Sequence, residues 1–583
     1  MDSESVIFET SLDLLRDTVL DISSSATPRR FRLVDCEELA HKKVLRIHEF
    51  IDVPPNFSTS YTAISYVWRG NPPIHAPSQD DPGTFIVKGA EDGDPISINA
   101  LQHACLASLQ HELSYIWLDR LCIQQTSKDD KVWQIEHMFD IYRSCKLCLI
   151  LPGGVGRLVG LDEETGWIRR GWTLQEAIAP AASIVLCAWD YGDVSFLGKG
   201  GLCYFKAVIP CRSATVELLT LLQLCSDCVH EPIHNDGAIK VFQLTHRRTF
   251  APFQPIVFGS GPQTRRVLGA LAGSMQEYHQ LHGTDAREQA IWRSALLRTS
   301  SRPVDMVFSI MGLFGVSLSP RDFDKNDRVG ATIALAQEIL RNKGRASWLS
   351  ATLPFPPCRQ LSSFPDFPLT TVDGIPRVPT EHGLKDVIEL MDDSNAWYQE
   401  LPRGEMSDDG YLTFRSQAVE LAPVTAQEFD HKDIGIGIGG EQLLKAMNGT
   451  TWEIRDDLIQ DHRPIIPNES SPFMAACRRW ARRLGILSRP VWPPPCPQPK
   501  AFAVFLGPGF EHSGFKYIDK PIETTQSQAI LIEEHAPGKY QRTSYFTWPL
   551  KVANTITWLD YPVCIGGPDI VMSGRLTTAP KST

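Results

Sequence analysis

A strand–helix–strand pattern between residues 114 and 151 constrains the fold of this chain more than any other feature. Residues 115–118 form a short apolar run with an aromatic bias, which is typical of a buried strand, and residues 146–151 form a second one. Between them, residues 130–144 place apolar side chains at helical spacing. A strand, a helix and a strand in so short a stretch predict a mostly parallel sheet flanked by helices, which is an α/β fold.

The neighbouring segments extend this pattern on both sides. Residues 61–67 predict another strand, residues 81–98 an inserted hairpin, and residues 183–187 a further strand. A helix is expected over residues 100–112, and Asn99 is its predicted N-cap.

At 583 residues the chain is too long for a single hydrophobic core, so several domains are expected. Helical patterns dominate the middle of the chain, and short β-rich runs separated by Gly and Pro dominate its C-terminal end. The predicted regions are an N-terminal segment (1–29), an α/β domain (30–192, core motifs 61–176), a mainly helical region (193–350), an irregular, Pro-rich and helical region (351–499, with a stiff linker at 489–499) and a small β-rich region (500–583).

Charge and cysteine usage restrict the partners and the compartment. The net charge is −11 and no long Lys/Arg tract occurs, which argues against nucleic acid or an anionic membrane as the main partner. The first residues lack a signal-peptide core, and the most apolar window, 306–316, is too short to span a bilayer. The 14 cysteines are scattered through a large chain, so we expect reduced thiols and a cytoplasmic protein.

Two charged residues follow the buried strand at 115–118. Asp119 and Arg120 stand where an α/β sheet opens to its ligand crevice. Tyr66, Trp68 and Gly70 end the strand at 61–67, so parallel strands would bring them to the same edge as Asp119. Gly70 would permit a tight turn or a close backbone approach to a ligand. The alternative is that these residues only terminate a strand.

Trp172 and Glu176 are four residues apart in the segment R-G-W-T-L-Q-E. On a helix this spacing places an indole and a carboxylate one turn apart on one face, where they can share a pocket wall with Asp119. The alternative interpretation is structural. In that case Trp172 is a core residue, Glu176 pairs with Arg169 or Arg170, and Asp119 caps the following turn.

A cluster of thiols and imidazoles follows in the helical region. Its spacing, C-x-x-C-x-H-x-x-x-H, could supply four tetrahedral zinc ligands, namely Cys225, Cys228, His230 and His234. The spans between these ligands are shorter than in common zinc modules, and an apolar helix over 216–224 would bury the thiols instead. We therefore predict no metal site, with this cluster as the one weak candidate.

Four ordered blocks carry a family resemblance. They are Y-T-A-I-S-Y-V-W (61–68), W-L-D-R-L-C-I-Q-Q (117–125), Q-I-E-H-M-F-D-I-Y-R-S-C (134–145) and R-G-W-T-L-Q-E (170–176). In order and spacing they resemble the motifs of the fungal heterokaryon incompatibility (HET) domain. Residues 302–315 resemble the segment that often follows this domain.

The resemblance implies a non-self recognition protein whose HET domain triggers cell death when incompatible fungal cells fuse, with protein partners in that pathway and self-association. HET domains are regarded as distant relatives of TIR domains, which are flavodoxin-like α/β modules. Some TIR domains cleave NAD with the Glu of a W-x-x-x-E segment, and Trp172 and Glu176 have that spacing. The resemblance therefore suggests NAD as a substrate and no required cofactor.

We accordingly assign candidate roles within this site. Glu176 is the candidate catalytic carboxylate, Trp172 packs on the ligand, and Asp119 orients the ribose or Arg120, since glycosidic cleavage passes through an oxocarbenium-like state. Gln124 is a further candidate for substrate binding.

The sequence departs from the family pattern at two positions, which leaves other functions open. Arg69 is inserted into what is usually a Trp-Gly pair, and Gln124 stands where Asn is more usual. The alternative to an enzyme is a TIR-like signalling and assembly module that recruits partners without chemistry. An inactive copy is a third interpretation.

Overall fold

The computed structural model describes most of the chain. The described residues are 4–73, 82–198, 201–226, 231–232, 255–260, 264–275, 284–351, 353–369, 374–380, 382–391, 397–398, 401–424, 443–455, 500–511 and 522–567. Among them, no helix combines the length and the apolar character that a membrane span requires.

The N-terminal region is built from short strands connected by helices. Its strands are β1 (Glu4–Ser11), β2 (Val19–Leu20), β3 (Phe31–Asp35), β4 (Val44–Phe50), β5 (Thr62–Tyr66), β6 (Thr84–Val87), β7 (Ile96–Ser97), β8 (Tyr115–Trp117), β9 (Leu147–Leu151), β10 (Ser183–Ala188), β11 (Val194–Gly198), β12 (Gly201–Ile209), β13 (Ser213–Glu217) and β14 (Glu231–Pro232). Its helices are α1 (Leu12–Leu15), α2 (Cys36–His41), α3 (Ile98–Leu109), α4 (Asp119–Cys122), α5 (Lys128–Ser144), α6 (Trp172–Ile178) and α7 (Leu218–Ser226), with a 3₁₀ turn at Trp167–Arg169.

Eleven of the described strands form one mixed sheet in the order β1-β4-β3-β8-β5-β9-β10-β13-β12-β11-β14. Its centre is parallel, because β5 pairs in parallel with β8 and β9, and β9 with β10. The outer strands pair antiparallel on both sides of this centre. In chain order the four parallel strands lie as 2-1-3-4, which is the order that begins a flavodoxin-like sheet. The predicted α/β class is confirmed.

The predicted strand–helix–strand unit is present as β8, α5 and β9. The inserted hairpin is also present, since β6 and β7 pair antiparallel. The predicted helix cap at Asn99 was wrong. Helix α3 begins earlier, and the Ser97 side chain is its N-cap, because the Ser97 hydroxyl accepts from the Ala100 N–H at 3.2 Å.

The middle of the chain is helical from residue 264 onward, whereas residues 194–217, which were predicted to belong to the helical region, form β11, β12 and β13 of the N-terminal sheet. Its helices are α8 (Thr264–Met275), α9 (Thr284–Leu296), α10 (Asp305–Met311), α11 (Arg328–Arg341) and α12 (Trp348–Ala351), with 3₁₀ turns at Gly312–Phe314 and Pro320–Asp322. The segment between α9 and α10 pairs with the chain just before α6. The Thr299 N–H donates to the Arg169 carbonyl at 2.7 Å, and the Gly171 N–H donates to the Thr299 carbonyl at 2.8 Å. This pairing joins the helical region to the start of α6.

The C-terminal region is rich in strands. It contains β15 (Arg377–Thr380), β16 (Gly383–Asp386), α13 (Val387–Leu390), β17 (Trp397–Tyr398), β18 (Gly404–Met406), β19 (Leu412–Pro423), β20 (Leu443–Lys445), β21 (Thr451–Ile454), β22 (Ala501–Glu511), β23 (Ile522–Ala536), β24 (Lys539–Pro549), α14 (Leu550–Ala553) and β25 (Leu559–Ile565). Strands β17 to β25 form one sheet, in which β19 pairs with both β22 and β25. The β-rich region therefore draws strands from residue 397 onward. The linker predicted at 489–499 lies outside the described residues.

One hydrophobic core connects these regions. Buried apolar side chains form a continuous cluster that includes Leu33 of β3, Trp292 of α9 and Ile565 of β25. A second cluster, which includes Leu531 and Phe546, fills the other side of the C-terminal sheet. The N-terminal sheet is thus packed against the helical region and is not an isolated layer.

A buried ionic cluster fixes the antiparallel side of the sheet. The guanidinium of Arg32 is fully buried and donates to Glu49 at 3.0 Å and to Asp130 at 3.1 Å. The Asp130 carboxylate also accepts from the backbone N–H groups of Arg29 and Gln124. Because every charge in this cluster has an opposite partner, the cost of burying it is offset only while the set is complete.

Removing one member of this cluster should therefore be far more costly than removing an exposed ion pair. We expect Asp130→Ala to destabilise the protein by about 3–5 kcal/mol, since it leaves Arg32 charged and partly unpaired. The neighbouring change Asp129→Ala, at an exposed carboxylate paired with Arg29 and Arg321, should cost far less, because solvent screens an exposed ion pair. Urea unfolding midpoints of the two variants test this difference, and equal midpoints would contradict it.

Candidate active site

The candidate site lies at the carboxyl-terminal edge of the parallel strands. Strand β5 is in parallel register with β8, pairing Thr62 with Ile116 and Ala63 with Trp117. Both strands therefore end on the same side of the sheet, and α4 begins there with Asp119. The crossover from β9 to β10 contains α6, which brings Glu176 to the neighbouring strand β5.

The Asp119 carboxylate is held by Tyr66, the last residue of β5, and by Trp68, which follows this strand. The Tyr66 hydroxyl donates to one oxygen at 2.5 Å, and the Trp68 indole N–H donates to the other at 3.1 Å. The Arg120 backbone N–H adds a third bond, at 2.6 Å. Burial raises the pKa of Asp119, while the hydrogen bonds from Tyr66 and Trp68 and the charge of Arg120 oppose that shift.

The Glu176 carboxylate has a different environment. It is half-buried and accepts one hydrogen bond, from the Ser65 hydroxyl at 2.6 Å, and Ser65 in turn accepts from the Trp167 indole N–H at 2.8 Å. Desolvation raises the pKa of Glu176 to about 8, and the charge of Asp119 acts in the same direction. Glu176 is therefore largely protonated at neutral pH in the unliganded protein. None of the ion pairs among the described residues joins it to Arg169 or Arg170.

Trp172 begins α6 and is half-buried between the two regions. Burial raises the pKa of Asp305 in α10, whereas the charge of Arg302 and a hydrogen bond from Trp172 lower it. The polar edge of this indole is thus engaged by the helical region. Trp172 and Glu176 share a helix but contact different residues: Trp172 bonds to Asp305, and Glu176 accepts from Ser65.

Arg120 is fully buried and packs behind the Asp119 carboxylate. It donates to the backbone carbonyls of Asp94 and Ala90, and its guanidinium lies 5.7 Å from the centroid of the Trp68 ring. Arg120 therefore holds the loop between β6 and β7 against Trp68, which follows β5.

Gln124 belongs to another part of the fold. Its backbone N–H donates to Asp130 at 2.8 Å, and its side-chain amide donates to the Ser23 carbonyl at 3.3 Å. These contacts place Gln124 beside the Arg32 cluster, and none of its hydrogen bonds among the described residues reaches Asp119 or Glu176.

Gly70 lies where the loops after β5 and β9 meet. A Cβ atom at this position would be 1.8 Å from the Gly153 carbonyl oxygen, and the Asn71 N–H donates to that same oxygen at 2.9 Å. The Gly70 N–H donates to the Asp94 carboxylate at 2.6 Å. The close backbone approach that requires glycine at position 70 is thus made by the loop after β9.

Three residues of this site were not identified from the sequence. Ser65 and Trp167 form the hydrogen-bond chain to Glu176, and Arg298 donates to Thr173 one turn before Glu176. Ser65 is more than 100 positions from its partners in the chain. No local pattern could have connected them.

Of the four candidate metal ligands, Cys225 is the one that lies among the described residues. Cys225 is buried near the end of α7, and burial raises the pKa of its thiol. Cys228, His230 and His234 lie outside the described residues. Within the ranges that the structure describes, no three His, Cys, Asp or Glu side chains are grouped to hold a metal ion.

The contact at Gly70 predicts a large effect of a single methyl group. Gly70→Ala should lower stability by about 1–3 kcal/mol, because the added carbon meets backbone atoms that cannot move without separating the two loops. Gly166→Ala is the matched control, since a Cβ there meets no atom within 4 Å. Thermal melting of both variants tests the effect. A Gly70→Ala melt equal to that of Gly166→Ala would contradict it.

The environment of Glu176 predicts a pH-dependent stability difference. A carboxyl whose pKa rises on folding from 4.5 to about 8 stabilises the fold fully below pH 4.5, and this contribution is lost as the pH rises through 8. Glu176→Gln keeps the acceptor for Ser65 and cannot ionise. The melting temperature of this variant relative to wild type should therefore increase between about pH 6 and pH 9. A constant difference across this range would contradict the raised pKa.

Part of the chain is similar in sequence to known proteins. Residues 61–163 match the family model described as heterokaryon incompatibility protein (HET). A curated protein of Neurospora crassa, "Heterokaryon incompatibility protein 6, OR allele", is 30% identical over 115 residues. That alignment covers 18% of this chain and 15% of the relative's length. No solved structure matches the chain.

The matched segment begins just before β5 and ends in the loop after β9. It contains Tyr66, Trp68 and Asp119, whereas Glu176 follows it. Residues 61–163 are therefore similar to the heterokaryon incompatibility (HET) family, and this segment supplies β5, β8 and β9 of the parallel centre of the N-terminal sheet.

Proposed function

We propose that this protein acts in heterokaryon incompatibility, as a cytoplasmic non-self recognition protein whose HET domain triggers cell death. The family match and the printed name of the Neurospora relative support this role. We further propose that the domain acts as an enzyme that cleaves the bond between ribose and nicotinamide in NAD or a related nucleotide. Protein partners of the incompatibility pathway and self-association would control this activity.

The observation that carries the enzymatic proposal is a pair of carboxylates in unlike environments at one sheet edge. Asp119 accepts three hydrogen bonds, whereas Glu176 accepts one and has a pKa of about 8. Carboxylates with perturbed pKa values that lie together at the ligand-binding edge of an α/β sheet are typical of catalytic sites. The alternative role, a purely structural pair, gives no reason to place a carboxyl in a largely buried position with one hydrogen-bond donor among the described residues.

The chemistry requires a carboxylate beside a developing positive charge. When the bond between ribose C1′ and the nicotinamide nitrogen breaks, nicotinamide leaves as a neutral molecule with the electron pair, and the ribose becomes oxocarbenium-like. An ionised Glu176 would stabilise this cation, and the positive charge of bound NAD would itself favour ionisation of Glu176. Water then attacks C1′ and releases a proton.

The remaining residues would position the substrate. The Asp119 oxygens keep free lone pairs that can accept hydrogen bonds from the ribose hydroxyls, because each carboxylate has about four acceptor sites. Tyr66 and Trp68 would fix this carboxylate in place. The exposed part of the Trp172 ring would pack on the ligand.

The decisive measurement is nicotinamide release by the purified full-length chain supplied with NAD. Glu176→Gln should lower the rate by about 10²-fold or more, because it removes the charge that stabilises the transition state. Glu164→Gln, at an exposed carboxylate paired with Arg169, should leave the rate unchanged. Melting curves must show that both variants are folded.

The pH dependence of the same reaction gives a second criterion. Because the ionised form of Glu176 is required, the rate at low substrate concentration should rise with pH and level off above about 8. No release by wild type at any pH, including at high protein concentration where self-association is favoured, would contradict the enzymatic proposal. The signalling and assembly module would then be the better interpretation of the domain.

A further inference from the structure

A buried arginine from the helical region reaches the helix that carries Glu176. Arg298 lies between α9 and α10, and its side chain is fully buried. Its Nη1 donates to the Arg170 carbonyl at 3.0 Å and to the Thr173 hydroxyl at 2.7 Å. Its Nε and Nη2 have no hydrogen-bond partner among the described residues. A buried guanidinium with two unpaired nitrogens is costly, so its retention calls for an explanation.

The position of Arg298 relative to Glu176 follows from the helix. Thr173 precedes Glu176 by three residues, and side chains with this spacing are neighbours on one helix face. The guanidinium bound to Thr173 therefore lies about one helical turn from the Glu176 carboxylate. Burial lowers the pKa of Arg298 to about 9, and the charge of Glu176 opposes that shift. Arg298 is thus charged at neutral pH and attracts the ionised form of Glu176.

Hydrogen bonds connect the same two residues through the protein. The Thr173 hydroxyl accepts a hydrogen bond from Arg298 and donates one to the Trp167 carbonyl at 2.7 Å. The Trp167 indole donates to Ser65, and Ser65 donates to Glu176. Arg298 and Glu176 therefore lie at opposite ends of one network that holds the start of α6.

The pairing of backbones on either side of Arg298 fixes its location. Thr299 bonds to Arg169 and to Gly171 immediately before α6, and Arg170 forms a parallel bridge with Thr299. These bonds fix the backbone beside Arg298, and the bonds from Nη1 to Arg170 and Thr173 hold the buried guanidinium. Its charge is therefore held at a constant position, in contrast to that of the half-exposed Arg170.

Several other titratable groups face Glu176 and must be considered with Arg298. The charge of Asp119 raises the pKa of Glu176, and the charge of Arg170 lowers it. Tyr66, Tyr142 and Cys148 also lie close enough for their pKa values to be raised by Glu176, and they are neutral at physiological pH. Of these groups, Arg170 and Arg298 are the two cations.

We propose that Arg298 is a positioning residue for Glu176. From outside the matched HET segment, it anchors the start of α6 and supplies a fixed, water-excluded positive charge that favours the ionised carboxylate. The importance of this role for catalysis rests on the function proposed above. The electrostatic coupling between Arg298 and Glu176 is independent of that function, and it can be measured even in a protein that has no turnover.

The consequence is that the site is incomplete without the helical region. The cation that favours the reactive form of Glu176 comes from a segment more than 100 residues downstream of α6. Movement of the helical region relative to the sheet would change the ionisation of Glu176 and with it the activity of the site.

The test follows the ionisation of Glu176 through Trp167 in the full-length chain. Incorporation of 5-fluorotryptophan gives a fluorine resonance for Trp167, which Trp167→Phe identifies and whose titration Glu176→Gln should abolish. In wild type we expect this resonance to titrate near pH 8. Arg298→Gln, which keeps N–H donors and removes the charge, should raise the midpoint by about two units, as expected for a charge one helical turn (about 5.4 Å) away at an effective dielectric constant near 20.

Three comparisons make the result decisive. Arg298→Lys, which keeps a charge, should have a midpoint closer to wild type than Arg298→Gln does. Arg542→Gln, at a buried arginine of the C-terminal sheet, should leave the midpoint unchanged. If Arg298→Gln does not fold, Thr173→Val, which removes the hydroxyl that holds the guanidinium, should shift the midpoint in the same direction.

The outcomes separate this inference from the proposed function. A shifted midpoint in a protein that releases no nicotinamide would support the coupling and contradict the enzyme. A midpoint that is the same in wild type, Arg298→Gln and Thr173→Val, or a Trp167 resonance that does not titrate, would overturn the inference even if nicotinamide is released. Lower melting temperatures without a shifted midpoint would show that Arg298 has a purely structural role, which would also overturn the inference.

Discussion

The parallel alignment of β5 with β8 and β9 is the constraint on which the candidate site depends. Parallel strands end at the same edge of a sheet. Because β8 and β9 lie on opposite sides of β5, the connections that follow β5 and β8 run in opposite directions from this edge. Asp119 follows β8, Tyr66 ends β5, and the segment after β9 leads to α6. An antiparallel arrangement of the same segments would have put Asp119 and Tyr66 at opposite edges.

The two carboxylates at this edge illustrate how environment sets chemical role. Asp119 has three donors, so part of the cost of its burial is offset, whereas the one donor to Glu176 among the described residues is Ser65. The same type of group is therefore held in two different electrostatic environments. A proton is retained at Glu176 at neutral pH, and a cationic ligand can release it.

Local patterns predicted the central elements well because their signals are local. The apolar runs of β5, β8 and β9 and the periodicity of α5 do not depend on distant residues, and the structure confirms them within two residues at each end. The cap of α3 was misassigned, since both Ser97 and Asn99 are good capping residues and only backbone geometry decides between them. Residues 397–423 were predicted to belong to an irregular and helical region, whereas they contain β17, β18 and β19, and the partners of β17 and β19 include strands more than 80 positions away.

The sequence by itself determined that this chain has an α/β sheet with a HET-like set of motifs, and that Asp119, Tyr66 and Trp68 follow neighbouring strands. Strand and helix periodicity, together with the rule that parallel strands share an edge, were sufficient for this. Only the tertiary structure decided that Gly70 is required by Gly153, that Gln124 belongs to a different cluster, and that Ser65 and Arg298 stand beside Glu176. These contacts join residues far apart in the chain, and their strength depends on burial, which a linear pattern does not encode.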